Sequence, residues 1–302
     1  MQGNLVQTVF SFIAILAGFF GLLINFVEPY LPGLIRRVYC YGKFPRNTYQ
    51  PPRIKVEIPK RWYKHCYVFA APTVSYILYL VIGKYMWDGN VPKSVTWVLN
   101  VGLGTNRQSL VSPENTLIAI SALTFHCWKR FYETHYVNVF SDSKMNIFHY
   151  MIIYPHYVGC LTCIIGESEG FVEGSEGHLS WRRVTYSKLI CALVIVLASY
   201  TQLRTNYILS NLRKDKNGKV TSTEHKIPYG GLFEYISGAL QISEITVYVC
   251  LSIILWRSSS FHYITTWVLI NQTCTSILTH RWYLKTFKNY PKSRKILIPY
   301  LF

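Results

Sequence analysis

Acid is scarce in this 302-residue sequence: 14 Asp and Glu stand against 31 Lys and Arg, and charge of either sign makes up only 15% of the chain. An average soluble domain carries roughly 25%. No repeat, long linker or low-complexity tract divides the chain, so residues 1–302 are expected to form a single domain. The opening MQGNLVQ lacks a basic flank, which argues against a cleavable signal peptide; the first apolar stretch is long enough to stay as a span. The GLGTN at 102–106 lacks the flanking strand and helix of a dinucleotide fingerprint. Cys160 and Cys163 form a CxxC with no second ligand pair nearby, which excludes zinc and redox roles and leaves no metal expected.

What is abundant is apolar surface. Hydrophobic residues make up 50% of the sequence and aromatics 16%. Apolar runs at Leu5–Val27, Cys66–Trp87, Thr116–Phe140, Ile147–Ile165, Leu189–Leu203, Leu240–Trp256 and Tyr263–Leu284 predict an all-α integral membrane protein of about seven spans. The 88–115 segment between them reads as a loop of mixed polarity.

Charge placement tests that count independently. With seven alternating spans, segments 28–64, 129–145, 204–228 and 281–302 share one side and hold nine, three, six and six Lys or Arg. The other side holds about five, together with the acidic GESEGFVEGSEG at 166–177. The positive-inside rule then puts the C-terminus in the cytosol and the N-terminus in the lumen. Topology accounts for much of the +17 net charge, so no nucleic acid is needed to explain it. The sequon Asn271-Gln272-Thr273 lies inside the last span, where it would not be modified.

Polar groups at membrane depth are costly and therefore informative. Arg130 and Glu133 are three residues apart on one helix face, with His126 a turn earlier. That pattern suits a helix end snorkelling to the interface as well as the wall of a basic pocket. Gln202, Asn206 and Arg213 follow at helical spacings, and an Arg fork suits phosphate. Glu244 in an apolar helix demands a donor, which either a structural ion pair or a bound ligand would meet. Pro228, Gly230 and Gly231 predict a sharp bend just before Glu234 and Tyr235. His280 and Tyr283 share a face at the end of the last span. The terminal stretch, rich in bases, aromatics and prolines and ending ILIPYLF, reads as folded, since a disordered tail would lack those apolar groups.

The stretches HRWYLKTFKNYPKSRKILIPYLF (280–302), IPYGGLFEYIS (227–237) and NYILSNLRK (206–214) resemble hallmark segments of the steroid 5α-reductase family. LPGLIRRVYCYGKF, IPKRWYKHCY and KRFYETHYVNVFSDSKMNIFHY are similar to its polyprenol reductase branch. The resemblance spans nearly the whole chain. It implies a seven-helix fold in the endoplasmic reticulum membrane, NADPH held among cytosolic helix ends (chiefly by residues 187–302), and an isoprenoid lipid substrate entering from the bilayer. No obligate protein partner is implied.

Carried over by position, Arg130, Gln202, Asn206, Arg213, Tyr235, Glu244, Tyr283 and Arg294 resemble cofactor-lining residues, and His280 an essential histidine. Leu240 replaces an asparagine of the family, Asn206 stands where steroid-acting relatives have aspartate, and His65-Cys66 stands where they have a Gln-Glu pair.

The resemblance implies reduction of the α-isoprene double bond of a polyprenoid, on the way to dolichol for protein N-glycosylation. Chemistry favours the aldehyde, because a hydride added to the β-carbon needs somewhere to place negative charge and an isolated allylic alcohol offers nowhere. His280, Tyr283 and His65 are the candidate acids at the oxygen. A steroid or enoyl-thioester reductase on the same bundle is the alternative. A receptor or transporter would gather its polar groups at the bilayer midplane rather than at helix ends.

Overall fold

The computed structural model describes residues 3–32 and 57–302. Most of the basic segment 28–64, and with it most of LPGLIRRVYCYGKF, lies outside the described residues.

Asn4 caps the first helix, α1 (Leu5–Phe26), by accepting from the Gln7 amide at 3.0 Å. Val6, Phe10, Ala14, Ala17, Gly21 and Ile24 recur every three or four residues and are buried, while Phe12, Ile15, Phe19, Leu22 and Phe26 face outward. The buried stripe packs on the last helix, α9 (Phe261–Thr286). There Asn25 donates to the Cys274 carbonyl at 3.2 Å, and a Cβ on Gly21 would run into the Cys274 side chain. Gly21→Ala is therefore expected to destabilise the protein by about 1–3 kcal/mol, read as a lower thermal midpoint in detergent; an unchanged midpoint would mean the two helices separate at no cost.

A short antiparallel pair, β1 (Glu57–Pro59) with β2 (Lys144–Asn146), ties the start of α2 (Lys64–Trp87) to the segment that follows α4 (Pro113–Tyr132). Pro113 sits at the first turn of α4, where its missing N–H costs nothing. A π-helical turn, Glu133–Val137, extends that helix. After β2 come α5 (Ile147–Met151) and α6 (Ile153–Gly166), then α7 (Tyr186–Asn211) and α8 (Ala239–Ile254). One apolar core joins α1, α2, α4, α6, α7, α8, α9 and the Leu99 and Leu103 side chains of the Lys93–Leu103 helix; a smaller cluster of Phe233, Ile236 and Ala239 anchors the chain entering α8.

Two expectations change. The 88–115 segment is not all loop: it contains α3 (Lys93–Leu103), which starts after Pro92 and buries Leu99, Gly102 and Leu103 against α6. Eleven residues with one narrow apolar face form a helix here because α6 supplies the surface: Cβ atoms on Gly102 and Gly166 would strike Thr162 and Leu103 respectively. The second change concerns the spans. Among the described residues, four helices are long and apolar enough to cross a membrane: Leu5–Phe26, Lys60–Trp87, Ile147–Gly166 and Tyr186–Asn211. Only 28–39% of each apolar window is buried, as lipid-facing helices require. The other three expected spans are also helices, but α8 has only 16 residues, and α4 and α9 carry polar side chains along much of their length. The expected span Thr116–Phe140 runs as α-helix only to Tyr132 and as the π turn to Val137.

Candidate active site

Four helices bring their polar residues to one interior region. On α4 and its π turn, His126, Lys129, Arg130 and Glu133 follow at spacings of three and four and so share a face. The Arg130 guanidinium donates to Glu133 Oε2 at 2.5 Å and to the Tyr67 hydroxyl at 3.0 Å, and Tyr67 in turn lies 3.2 Å from the Tyr63 hydroxyl. Lys129 Nζ stands 3.3 Å from Glu133 Oε1 and also donates to Gln202 on α7. Gln202 donates to Glu244 Oε2 on α8 at 2.6 Å, and His126 Nε2 lies 3.4 Å from Glu244 Oε1. Two cations and two carboxylates thus balance within the fold, and the donor that Glu244 demanded is present.

From Gln202 a polar ladder continues along one face of α7. Ser199, Gln202, Asn206 and Ser210 are all buried, and Arg213 follows just past the helix end, donating to the Val139 carbonyl. Ser199 Oγ, Asn206 Nδ2 and Ser210 Oγ are buried with no hydrogen-bond partner among the described residues. Partial burial pulls the Arg213 guanidinium below its ordinary pKa while the Tyr283 phenol opposes that pull; it stays a cation at neutral pH.

The ladder leads to a cradle built by the C-terminal tail. Gly230 (φ 95°) and Gly231 (φ 56°) take the left-handed conformations that a Cβ disfavours, giving the bend expected after Pro228. Beyond the bend, residues 235–238 run beside the tail: Lys295 N donates to the Tyr235 carbonyl at 2.8 Å, and the Ser237 and Gly238 amides donate to Lys295 and Ile296, each at 2.9 Å. The tail is folded, as its composition predicted. This pairing sets Ser237 Oγ 2.7 Å from both His280 Nδ1 and the Tyr290 hydroxyl. Tyr290 stacks on Tyr283 with ring centroids 4.9 Å apart and planes 6° from parallel. Arg294, 2% exposed, lies over the rings of Tyr229 at 4.8 Å and Tyr290 at 5.3 Å, and among the described residues none of its three guanidinium nitrogens has a hydrogen-bond partner.

Ser237 is the joint of this cradle. Ser237→Ala removes one hydrogen bond each from His280 and Tyr290, and with a net value of about 0.5–1.5 kcal/mol per bond turnover should fall by up to about tenfold with the fold intact. Unchanged turnover would show that the orientation of His280 does not depend on Ser237.

Of the residues singled out in the sequence, the structure gathers Arg130, Gln202 and Glu244 in the ionic network. It places Asn206 and Arg213 on the ladder, and His280, Tyr283 and Arg294 in the cradle. Two stand elsewhere. Tyr235 is 45% exposed with its ring against Tyr300, and the His65 ring packs with Trp62 and Tyr150, with no contact to His280 or Tyr283. Lys129, Tyr229 and Ser237 were not singled out. Tyr229 and Ser237 meet Arg294, His280 and Tyr290 from a distant chain segment, so no local spacing marked them, whereas Lys129 stands four residues from Glu133, a spacing that could have marked it.

Comparison with known proteins bears on this arrangement. A family profile described as 3-oxo-5-alpha-steroid 4-dehydrogenase matches residues 171–302, the part that builds the ladder and the cradle. A polyprenal reductase of Drosophila melanogaster is 36% identical over 305 residues, covering 99% of this chain and 93% of its own length. The chain belongs to the polyprenal reductase branch of the steroid 5α-reductase family. A polyprenal reductase of Caenorhabditis elegans is 30% identical over 277 residues, with 90% of this chain and 89% of its own covered. That of Homo sapiens is 25% identical over 295 residues, with 93% and 91% covered. The similarity therefore includes α1, α2 and α4, which the family profile does not reach.

Proposed function

We propose that this protein is an NADPH-dependent polyprenal reductase of the endoplasmic reticulum membrane, reducing the α-isoprene double bond of a long-chain isoprenoid aldehyde. The observation that carries the cofactor is the Arg294 side chain. A guanidinium 2% exposed with three unpartnered nitrogens is costly unless an anion meets it, and a planar fork flanked by two tyrosine rings suits a phosphate. The unpartnered Asn206 and Ser210 extend those polar contacts toward Gln202 and Glu244, which fits an elongated, multiply polar molecule such as a dinucleotide. Arg294 and Arg213 would hold phosphates, the tyrosine rings would pack on a planar group, and Glu244 would accept from an amide.

Bound NADPH supplies the hydride equivalent for the β-carbon. The chain's own part is to hold the aldehyde and to place a donor where charge develops on its oxygen. A Ser237 hydroxyl that donates to Nδ1 would leave the His280 proton on Nε2, the edge then available to a ligand oxygen. Tyr283, stacked and buried, is the second donor. His65 stands apart from both and is proposed to touch the substrate only from the side of α2.

We extend the four apolar spans to seven by adding α4, α8 and α9. Arg130 and Glu133 on α4 and its π turn, Glu244 on α8 and His280 on α9 are engaged by other polar groups inside the fold, which lowers the usual cost of crossing. All residues then form one membrane-embedded domain with the C-terminus in the cytosol.

The test is label transfer. Purified protein in detergent, given polyprenal and NADPH deuterated at the transferring position, should yield the saturated aldehyde carrying one deuterium on the β-carbon. Deuterium on the carbonyl carbon instead would make the protein an aldehyde reductase and contradict the proposal.

A further inference from the structure

His126 has no assigned task, and its surroundings are unusual. Its side chain is fully buried, and among the described residues neither ring nitrogen has a partner that meets hydrogen-bond geometry. Nε2 lies 3.4 Å from Glu244 Oε1, an ion-pair approach without hydrogen-bond alignment. The other carboxylate oxygen is already held by Gln202 at 2.6 Å. Glu244 keeps a 15% exposed edge although everything behind it is closed: His126 and Glu133 are 0% exposed and Lys129 7%. A fully buried imidazole with one nitrogen free among the described residues and the other only approaching a carboxylate is costly; a leucine of similar bulk would avoid that cost.

We propose that His126 is a positioning residue that acts through Glu244. It steadies Oε1 as Gln202 steadies Oε2, so that the open edge of the carboxylate meets the bound cofactor in one orientation. The inference rests on the reading that Glu244 faces the cofactor. It explains why α4 turns a histidine, rather than an apolar residue, toward α8. It also divides the face of α4: Arg130 and Glu133 hold the bundle together, while Lys129 and His126 reach the carboxylate, one through Gln202 and one directly.

The experiment is a double-mutant cycle read by NADPH binding to the purified full-length protein, from the NADPH-induced shift in thermal midpoint and from fluorescence titration, with steady-state kinetics alongside. His126→Leu should leave the unliganded protein at least as stable as wild type, yet weaken NADPH binding at least tenfold. His126→Gln, which keeps a nitrogen donor, should recover most of that loss. The His126→Leu/Glu244→Gln double variant should bind no worse than Glu244→Gln alone. Losses that multiply in the double variant, or wild-type affinity in His126→Leu, would overturn the inference. Wild-type affinity and turnover in Glu244→Gln alone would instead remove Glu244 from the cofactor site, and the inference would fall with that reading.

Discussion

Replacing Arg294 with methionine is expected to weaken NADPH binding by about 10- to 100-fold while leaving the unliganded protein as stable as wild type or more so. The two halves of this result have one cause. The guanidinium is 2% exposed and lies over the faces of Tyr229 and Tyr290, and among the described residues none of its three nitrogens has a hydrogen-bond partner. Replacing an unpartnered buried cation with an apolar side chain of similar length removes a desolvation cost from the fold. When an anion is bound, the same substitution removes a charge-assisted hydrogen bond worth about 1.5–3 kcal/mol, and each 1.4 kcal/mol is about a factor of ten in affinity. Thermal unfolding with and without NADPH separates the effects: the midpoint without cofactor should hold or rise, and the cofactor-induced increase should largely vanish. A variant that loses stability without cofactor and keeps the increase would make Arg294 a structural residue.

Arg130 should behave in the opposite way. Its guanidinium donates to Glu133, which is 0% exposed, and to the buried Tyr67 hydroxyl, joining α2 to the end of α4. Arg130→Met leaves the carboxylate with Lys129 alone, and breaking a buried pair costs about 3–5 kcal/mol. The expected result is a large fall in the unfolding midpoint, of which Arg130→Met/Glu133→Gln recovers at least half, since the second change removes the stranded charge. Equal stability of wild type and the single variant would mean that Lys129 and Tyr67 rearrange to take over.

Much of the site was legible because its residues sit at helical spacings. Arg130 with Glu133, and Gln202 with Asn206, fall on shared faces whatever the tertiary structure, and Glu244 in an apolar helix announced that it needed a donor. The folded tail was legible too, in a composition too aromatic and apolar for a disordered one. What could not be read was set by long-range pairing. Ser237 meets His280 and Tyr290 only because Lys295 and Ile296 run beside Tyr235–Gly238. The α3 helix exists because α6 covers its narrow apolar face, which the mixed polarity of 88–115 conceals. The span count was harder for a similar reason: α4 and α9 carry polar residues whose partners lie on other helices, so hydropathy along the chain understates how well each is accommodated. For His65 and Tyr235 the resemblance gave a position but not a neighbour: the ring of the first packs on Trp62 and that of the second on Tyr300.

The central claim is that a conjugated isoprenoid aldehyde is the species reduced. It is tested most directly by offering the purified protein polyprenal, polyprenol and a 3-keto-4-ene steroid in parallel with NADPH and identifying the products by mass. The account predicts a two-hydrogen mass increase in polyprenal alone. Reduction of polyprenol in the absence of polyprenal would contradict it, because an isolated allylic alcohol has no conjugated carbonyl to take the charge left by hydride addition.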